Sequence, residues 1–181
     1  MIFSPTILEG AYIIDLEPVG DSRGWFSRAF CKEEFEQIRH TKEWVQINHS
    51  FTTAKGSIRG MHYQLPPFSE IKMVRCIAGA VFDVIIDIRK ESKTFLQWMG
   101  VELSAANKKM LYIPEGFAHG FQTLADNTEL LYHHSEFYKP GAEAGIRFDD
   151  PLVKINWPLP ATVISDRDRA HDLLNESFKG I

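Results

Sequence analysis

Ser57-Ile58-Arg59-Gly60-Met61-His62-Tyr63-Gln64 is the stretch on which the fold of this 181-residue chain turns. It is an extended apolar run that ends by presenting an Arg, a His and a Gln, with a glycine at its centre. A second run answers it: Ile113-Pro114-Glu115-Gly116-Phe117-Ala118-His119-Gly120-Phe121 places another histidine just past a Pro-Glu-Gly corner between two strands. Two histidines so placed point to one pocket. Strict alternation along a strand puts Arg59 and His62 on opposite faces. A bulge or bend at Gly60 brings both to one side, and glycine inside a strand is a common mark of that.

Outward from these two runs, segments rich in Val, Ile and aromatics recur at short spacing, punctuated by Gly, Pro, Asn or Asp. The pattern predicts strands over residues 11–17, 25–30, 44–52, 57–64, 70–77, 80–88, 96–103, 109–113, 120–124 and 128–138. That is too many strands for a helix-covered parallel sheet, and the expectation is an all-β sandwich or barrel. Helical patterning is confined to residues 31–38, where Phe35 and Ile38 stand at i and i+3, and to the tail 168–178, both expected to be peripheral. Pro140-Gly141 reads as the stop signal of the strand before it. With 44% hydrophobic residues and no repeat or linker, residues 1–181 read as a single domain with one core.

The net charge of −4 does not favour a nucleic-acid or anionic-membrane partner, but it leaves room for a local basic cluster that holds a phosphorylated small molecule. Cys31 and Cys76 lie in apolar contexts without Cys-x-x-Cys spacing and read as reduced, buried thiols. The start of the chain lacks a basic region followed by a long apolar one, and no segment is long and apolar enough to cross a bilayer. A soluble, cytoplasmic protein is expected.

Period two also sorts the polar residues. In Val81-Phe82-Asp83-Val84-Ile85-Ile86-Asp87-Ile88, the face Phe82, Val84, Ile86, Ile88 is wholly apolar, while Asp83 and Asp87 share the other with Val81 and Ile85. A sheet-edge aspartate bonded to backbone explains each Asp as well as a functional role does. Lys72 lies on the face of Val74 and Cys76, so its ammonium is expected in an enclosed space, where lysines are uncommon unless paired or functional. Tyr132 and His134 share a face with Leu130. By periodicity alone Tyr132 is a packing residue unless its hydroxyl finds a polar cavity.

The second run resembles the latter half of the cupin signature, a Pro-x-Gly-x-x-His turn, whose partner motif supplies His-x-His and a Glu to a metal. Here the partner reads His62-Tyr63-Gln64, and an amide in place of an imidazole leaves too few strong donors. Acid–base chemistry takes the place of the metal. Residues 20–169 resemble the dTDP-4-dehydrorhamnose 3,5-epimerases, cupin-fold enzymes of deoxysugar biosynthesis. The matching stretches include Asp21-Ser22-Arg23-Gly24, Gln46-Ile47-Asn48-His49-Ser50, Arg59 to Gln64, Lys72-Met73-Val74-Arg75-Cys76, Ile113 to Phe121, Leu131-Tyr132 and Ile164-Ser165-Asp166-Arg167-Asp168. The likeness implies a cupin jelly roll (a double-stranded β-helix) with short peripheral helices, and a homodimer built partly by strand exchange near the N-terminus. It also implies no metal or organic cofactor.

The implied substrate is a nucleotide-diphosphate 4-keto-6-deoxy sugar. By resemblance His62 is the base, Asp168 orients its imidazole, Tyr132 is the acid across the ring, and Lys72 stands beside the C4 oxygen to stabilise an enolate. Substrate contacts carried over by position are Arg23, Gln46, Asn48, Arg59, His119, Glu143 and Arg167, with Tyr138 stacking on the nucleobase. Three arginines, Arg23, Arg59 and Arg167, suit a diphosphate through forked hydrogen bonds. Arg28 stands where many members carry a Glu that contacts the nucleotide. His133-His134 replace a more usual Lys-then-small pair. The leading expectation is conversion of dTDP-4-dehydro-6-deoxy-D-glucose into dTDP-4-dehydro-L-rhamnose. The alternatives are epimerisation at C3 or C5 alone, a CDP-linked 4-keto sugar, a metal-dependent cupin oxygenase, and a sugar-binding cupin without catalysis.

Overall fold

In the computed structural model, which describes residues 1–181, the strands are, in chain order, β1 (Ile2–Pro5), β2 (Tyr12–Asp15), β3 (Val19–Asp21), β4 (Gly24–Phe26), β5 (Gln46–Thr52), β6 (Ile58–Gln64), β7 (Lys72–Ala78), β8 (Ala80–Asp87), β9 (Trp98–Ser104), β10 (Met110–Ile113), β11 (Phe117–Thr123), β12 (Thr128–His134) and β13 (Glu143–Gly145). They form a six-stranded sheet in the order β1-β2-β10-β7-β12-β5, a five-stranded sheet in the order β13-β6-β11-β8-β9, and a separate hairpin, β3-β4. All pairings within the sheets are antiparallel. The two large sheets face each other as the layers of a cupin jelly roll.

The core between the sheets takes Val74 and Cys76 of β7, Leu111 and Ile113 of β10, and Leu130 of β12 from one side. From the other it takes Val81 and Ile85 of β8, Leu103 of β9, and Phe117 and Phe121 of β11. Each sheet is also covered on its outer face. A short helix, α1 (Lys32–Phe35), and the 3-10 turn Glu36–Ile38 put Phe35 and Ile38 against Ile14, Met73, Met110 and Tyr112. The C-terminal tail lays Trp157, Leu174, Phe178 and Ile181 over Val84, Ile86 and Ile88. Burial on both faces explains why β8 reads as a nearly continuous apolar run. Its polar face is therefore interior, not an edge: Asp83 and Asp87 are both fully buried in a strand flanked by β11 and β9.

Several predicted boundaries move. The expected helix over 168–178 contracts to α2 (Asp166–Arg169), because the apolar residues beyond it are spent individually on the outer face of the five-stranded sheet. The strand expected over 25–30 is only the three residues of β4, since its sole partner is the equally short β3. β12 ends at His134, before Pro140-Gly141, and β11 begins at Phe117, so His119 lies inside a strand rather than at its mouth. Cys76 is buried, but Cys31 is only half-buried. No helix is long and apolar enough to cross a membrane.

The bulge expected at Gly60 is present. The β6–β11 pairing sets His119 opposite His62, then shifts register so that Phe121 meets Arg59. Gly60 has φ of +116°, and a Cβ there would fall 2.6 Å from the Cα of Gly120 on the adjoining strand. Only glycine accepts both conditions.

Candidate active site

The shift at Gly60 turns Arg59 and His62 toward one space, and both line the interior cavity between the sheets together with Asn48, Ser50, Lys72, His119, Tyr132, His134 and Arg167. This chamber shares His62, Lys72 and Arg167 with an outer lobe of about 490 Å³ that reaches Gln46, Tyr138 and Glu143. A lobe of that size is in the range of small-molecule sites.

On the wall built by the five-stranded sheet, His62 Nε2 lies 2.8 Å from Asp168 Oδ1. Asp168 is the buried residue of α2, and the local sequence holds it there: Ser165 caps the helix by accepting from the Asp168 N–H at 3.1 Å. Its second oxygen accepts from the Gly60 N–H at 3.0 Å. Burial by itself raises this carboxyl's pKa, but the bonds from His62 and Gly60 overcome that and hold it well below the usual carboxylate range. A fixed carboxylate behind an imidazole sets its tautomer and stabilises the imidazolium that forms on proton uptake.

On the opposite wall, Tyr132 projects from β12 with its hydroxyl 3.0 Å from Ser50 Oγ. Burial pushes the phenol's pKa up, so it keeps its proton at neutral pH. Lys72 opens β7 and is buried, its Nζ 3.0 Å from Glu70 Oε1. His119 is buried with Nε2 2.9 Å from Asp83 Oδ1, so Asp83 serves an inward-facing histidine.

His62, Asp168 and His171 bring three ligand atoms within 4.8 Å of one another. The Arg167 guanidinium, however, stands 3.2 Å from His62 Nε2, a positive charge where a metal cation would have to bind. Gln64, at the position of a cupin metal ligand, spends its amide on the backbone: Oε1 accepts from Lys139 N–H at 2.8 Å, and Nε2 donates to the Phe68 carbonyl at 3.1 Å. The donor set suits acid–base work better than coordination.

Residues 5–176 match the family model described as dTDP-4-dehydrorhamnose 3,5-epimerase. The chain belongs to this family. It is 47% identical over 164 residues to the dTDP-4-dehydrorhamnose 3,5-epimerase of Shigella flexneri, covering 90% of each chain. Among solved structures it is similar to the dTDP-6-deoxy-D-glucose-3,5-epimerase of Legionella pneumophila in complex with dTDP-4-keto-L-rhamnose. That match has a TM-score of 0.92 at 39% identity, over 97% of this chain and 94% of that one. It is also similar to a 3′-monoepimerase of Streptomyces bikiniensis in complex with dTDP-quinovose, with a TM-score of 0.87 at 32% identity, over 93% of this chain and 86% of that one.

Of the residues the epimerase likeness nominated, His62, Asp168, Lys72, Tyr132, Gln46, Asn48, Arg59, His119, Tyr138, Glu143 and Arg167 all border the connected lobes of this one cleft. Two do not join them within the chain. Arg23, at the tip of the β3-β4 hairpin, is 88% exposed and paired with Asp21, beside Trp25 and Phe26. Arg28 is exposed and bonded to Glu34 of α1 at 2.6 Å. The physical reason is the hairpin itself, which pairs with neither large sheet. Conversely, sequence reasoning passed over Ser50, Glu70 and His171. Ser50 and Glu70 were accessible by period two, since each stands two residues from a nominated one, Asn48 and Lys72. His171 carried no signal, for its place beside His62 depends on the unpredicted course of the tail.

Proposed function

We propose that residues 1–181 form one catalytic unit that epimerises dTDP-4-dehydro-6-deoxy-D-glucose to dTDP-4-dehydro-L-rhamnose. The observation that carries this reading is the placement of the His62–Asp168 pair and Tyr132 on opposite walls of one cavity. A hydrogen on the carbon next to the C4 ketone is acidic because its departure leaves charge that spreads onto the carbonyl oxygen. His62 takes that proton; the C–H electron pair becomes the C=C of an enolate, and the carbonyl pair moves to oxygen beside the Lys72 ammonium. The carbonyl then reforms as carbon takes a proton from Tyr132 on the other face, inverting the centre. The proton held by His62 and the vacancy on Tyr132 are reset through water. Electrostatic stabilisation of the enolate is worth roughly 3 to 4 kcal/mol per well-placed donor, and general acid–base help about 10²- to 10⁴-fold.

Arg59 and Arg167 line the mouth, where a diphosphate would lie, and Tyr138, half exposed on the outer lobe, offers a face to the base. Arg23 completes the grip from a second copy of the chain. A homodimer accords with the exposed Val19, Trp25 and Phe26 of the hairpin and with Ile47 and Phe51 on β5, one of the two unpaired edges of the six-stranded sheet. Two unpaired cysteines accord with a reducing, cytoplasmic setting.

The test is incubation with the dTDP and CDP 4-keto-6-deoxy sugars in D2O, reading deuterium by NMR. Incorporation at both C3 and C5 of the dTDP sugar is expected. Incorporation at one carbon would make the chain a monoepimerase, the reading that the Streptomyces bikiniensis match keeps in play. Preference for CDP would relocate the substrate, and no exchange with either sugar would overturn the reading.

A further inference from the structure

One wall of the outer lobe carries an unbroken run of hydrogen bonds whose direction is set at one end. The Tyr138 backbone N–H can only donate, and it donates to Gln46 Oε1 at 3.1 Å. The Gln46 amide then donates from Nε2 to Asn48 Oδ1 at 3.1 Å, and Asn48 Nδ2 donates to His134 Nε2 at 3.2 Å. An accepting Nε2 makes His134 neutral with its proton on Nδ1, and that proton is donated to Glu70 Oε2 at 2.7 Å. The other oxygen of Glu70 holds Lys72 at 3.0 Å. Gln46, Asn48, His134, Glu70 and Lys72 all line the same lobe. Glu70, Lys72 and His134 are almost wholly removed from solvent, with side-chain exposures of 9 to 11%.

A buried carboxylate facing a lysine is a rival for the charge the reaction needs. If Glu70 gave both oxygens to Lys72, the ammonium would be compensated before an enolate formed. His134 takes one of those oxygens away. We propose that His134 is a positioning residue for the epimerisation: by holding Glu70 from the side, it keeps Lys72 aimed and available to the C4 oxygen, and it ties this alignment to the Tyr138 end of the cleft. This rests on the epimerase reading given above. It also gives the departure at His133-His134 a specific meaning, because a small residue at position 134 would offer Glu70 no donor.

The test compares kcat and KM of wild type, His134→Ala, His134→Asn and the double variant Glu70→Gln/His134→Ala. Loss of the imidazole is expected to lower kcat about tenfold to a hundredfold with KM changed less than about threefold, since transition-state charge and not binding is affected. The asparagine places an N–H near the position of Nδ1 and is expected to retain kcat within about fivefold of wild type, and the double variant to regain at least about tenfold over His134→Ala, because a neutral amide no longer competes for the ammonium. Wild-type kcat in His134→Ala would overturn the proposal. So would equal impairment of all three variants, which would mark His134 as packing alone. Turnover by the wild type is read first, so failure of the epimerase reading and failure of this inference are separate results.

Discussion

Asp87 and Asp168 are buried carboxylates with depressed pKa values, yet they do different work. Asp168 spends its charge on His62 and Gly60 and belongs to the chemistry. Asp87 spends its charge on Arg89, Ser92 and Thr94 and ties down the turn after β8. Burial alone would raise its pKa, but these donors hold it at about 2. A folded-state value below the unfolded one, ordinarily about 3.9, means a stabilisation of about 2 kcal/mol that is complete above pH ~4 and is lost as pH falls through ~2. Chemical denaturation at a series of pH values is expected to show that loss between about pH 4 and pH 2, and Asp87→Asn to flatten this part of the curve. Unchanged acid sensitivity in the variant would assign the effect elsewhere. A single strand, β8, thus supplies one Asp to a cavity histidine and one to a turn, a division that alternation cannot make because both point the same way.

At the scale of elements, the crossing of β6 and β11 decides whether there is a site at all. Gly60 and Gly120 approach each other so closely that a Cβ on either would fall 2.6 Å from backbone of the other strand. Gly60→Ala also meets a positive φ, and a loss of about 2 kcal/mol or more is expected by thermal or urea unfolding. Activity should fall further than stability does, because the same change swings His62 away from Asp168. Strands such as β8 and β10 were legible to within a residue or so because their apolar runs are buried on both faces. The tail was not: Leu174 and Phe178 mimic helical spacing but are placed one by one on the outer face of the five-stranded sheet. Short strands such as β3 and β13 carry little hydrophobic signal of their own and exist through their partners.

The whole molecule presents an asymmetry between a cleft that gathers most of the nominated residues and a hairpin that pairs with neither large sheet and holds Arg23 away from that cleft. The proposed dimer resolves it, with a distinctive consequence. Arg23→Ala and His62→Ala, each inactive or nearly so as a homodimer, are expected to recover activity when co-refolded. A mixed dimer then has one site with both lesions and one with neither. If Arg23 acted within its own chain, every site would keep a lesion and mixing would restore nothing.

The sequence by itself determined the β architecture, the bend at Gly60, the inward Lys72 and the epimerase family, because alternation, glycine placement and dense motifs are local properties of the chain. Only the tertiary structure decided that Asp168 divides its two oxygens between His62 and the Gly60 N–H, that Ser50 meets the Tyr132 hydroxyl, and that Glu70 is shared between Lys72 and His134. Those pairs join residues on different strands and on the tail. Their geometry follows from register and from how two sheets close on each other, which no spacing along one strand encodes.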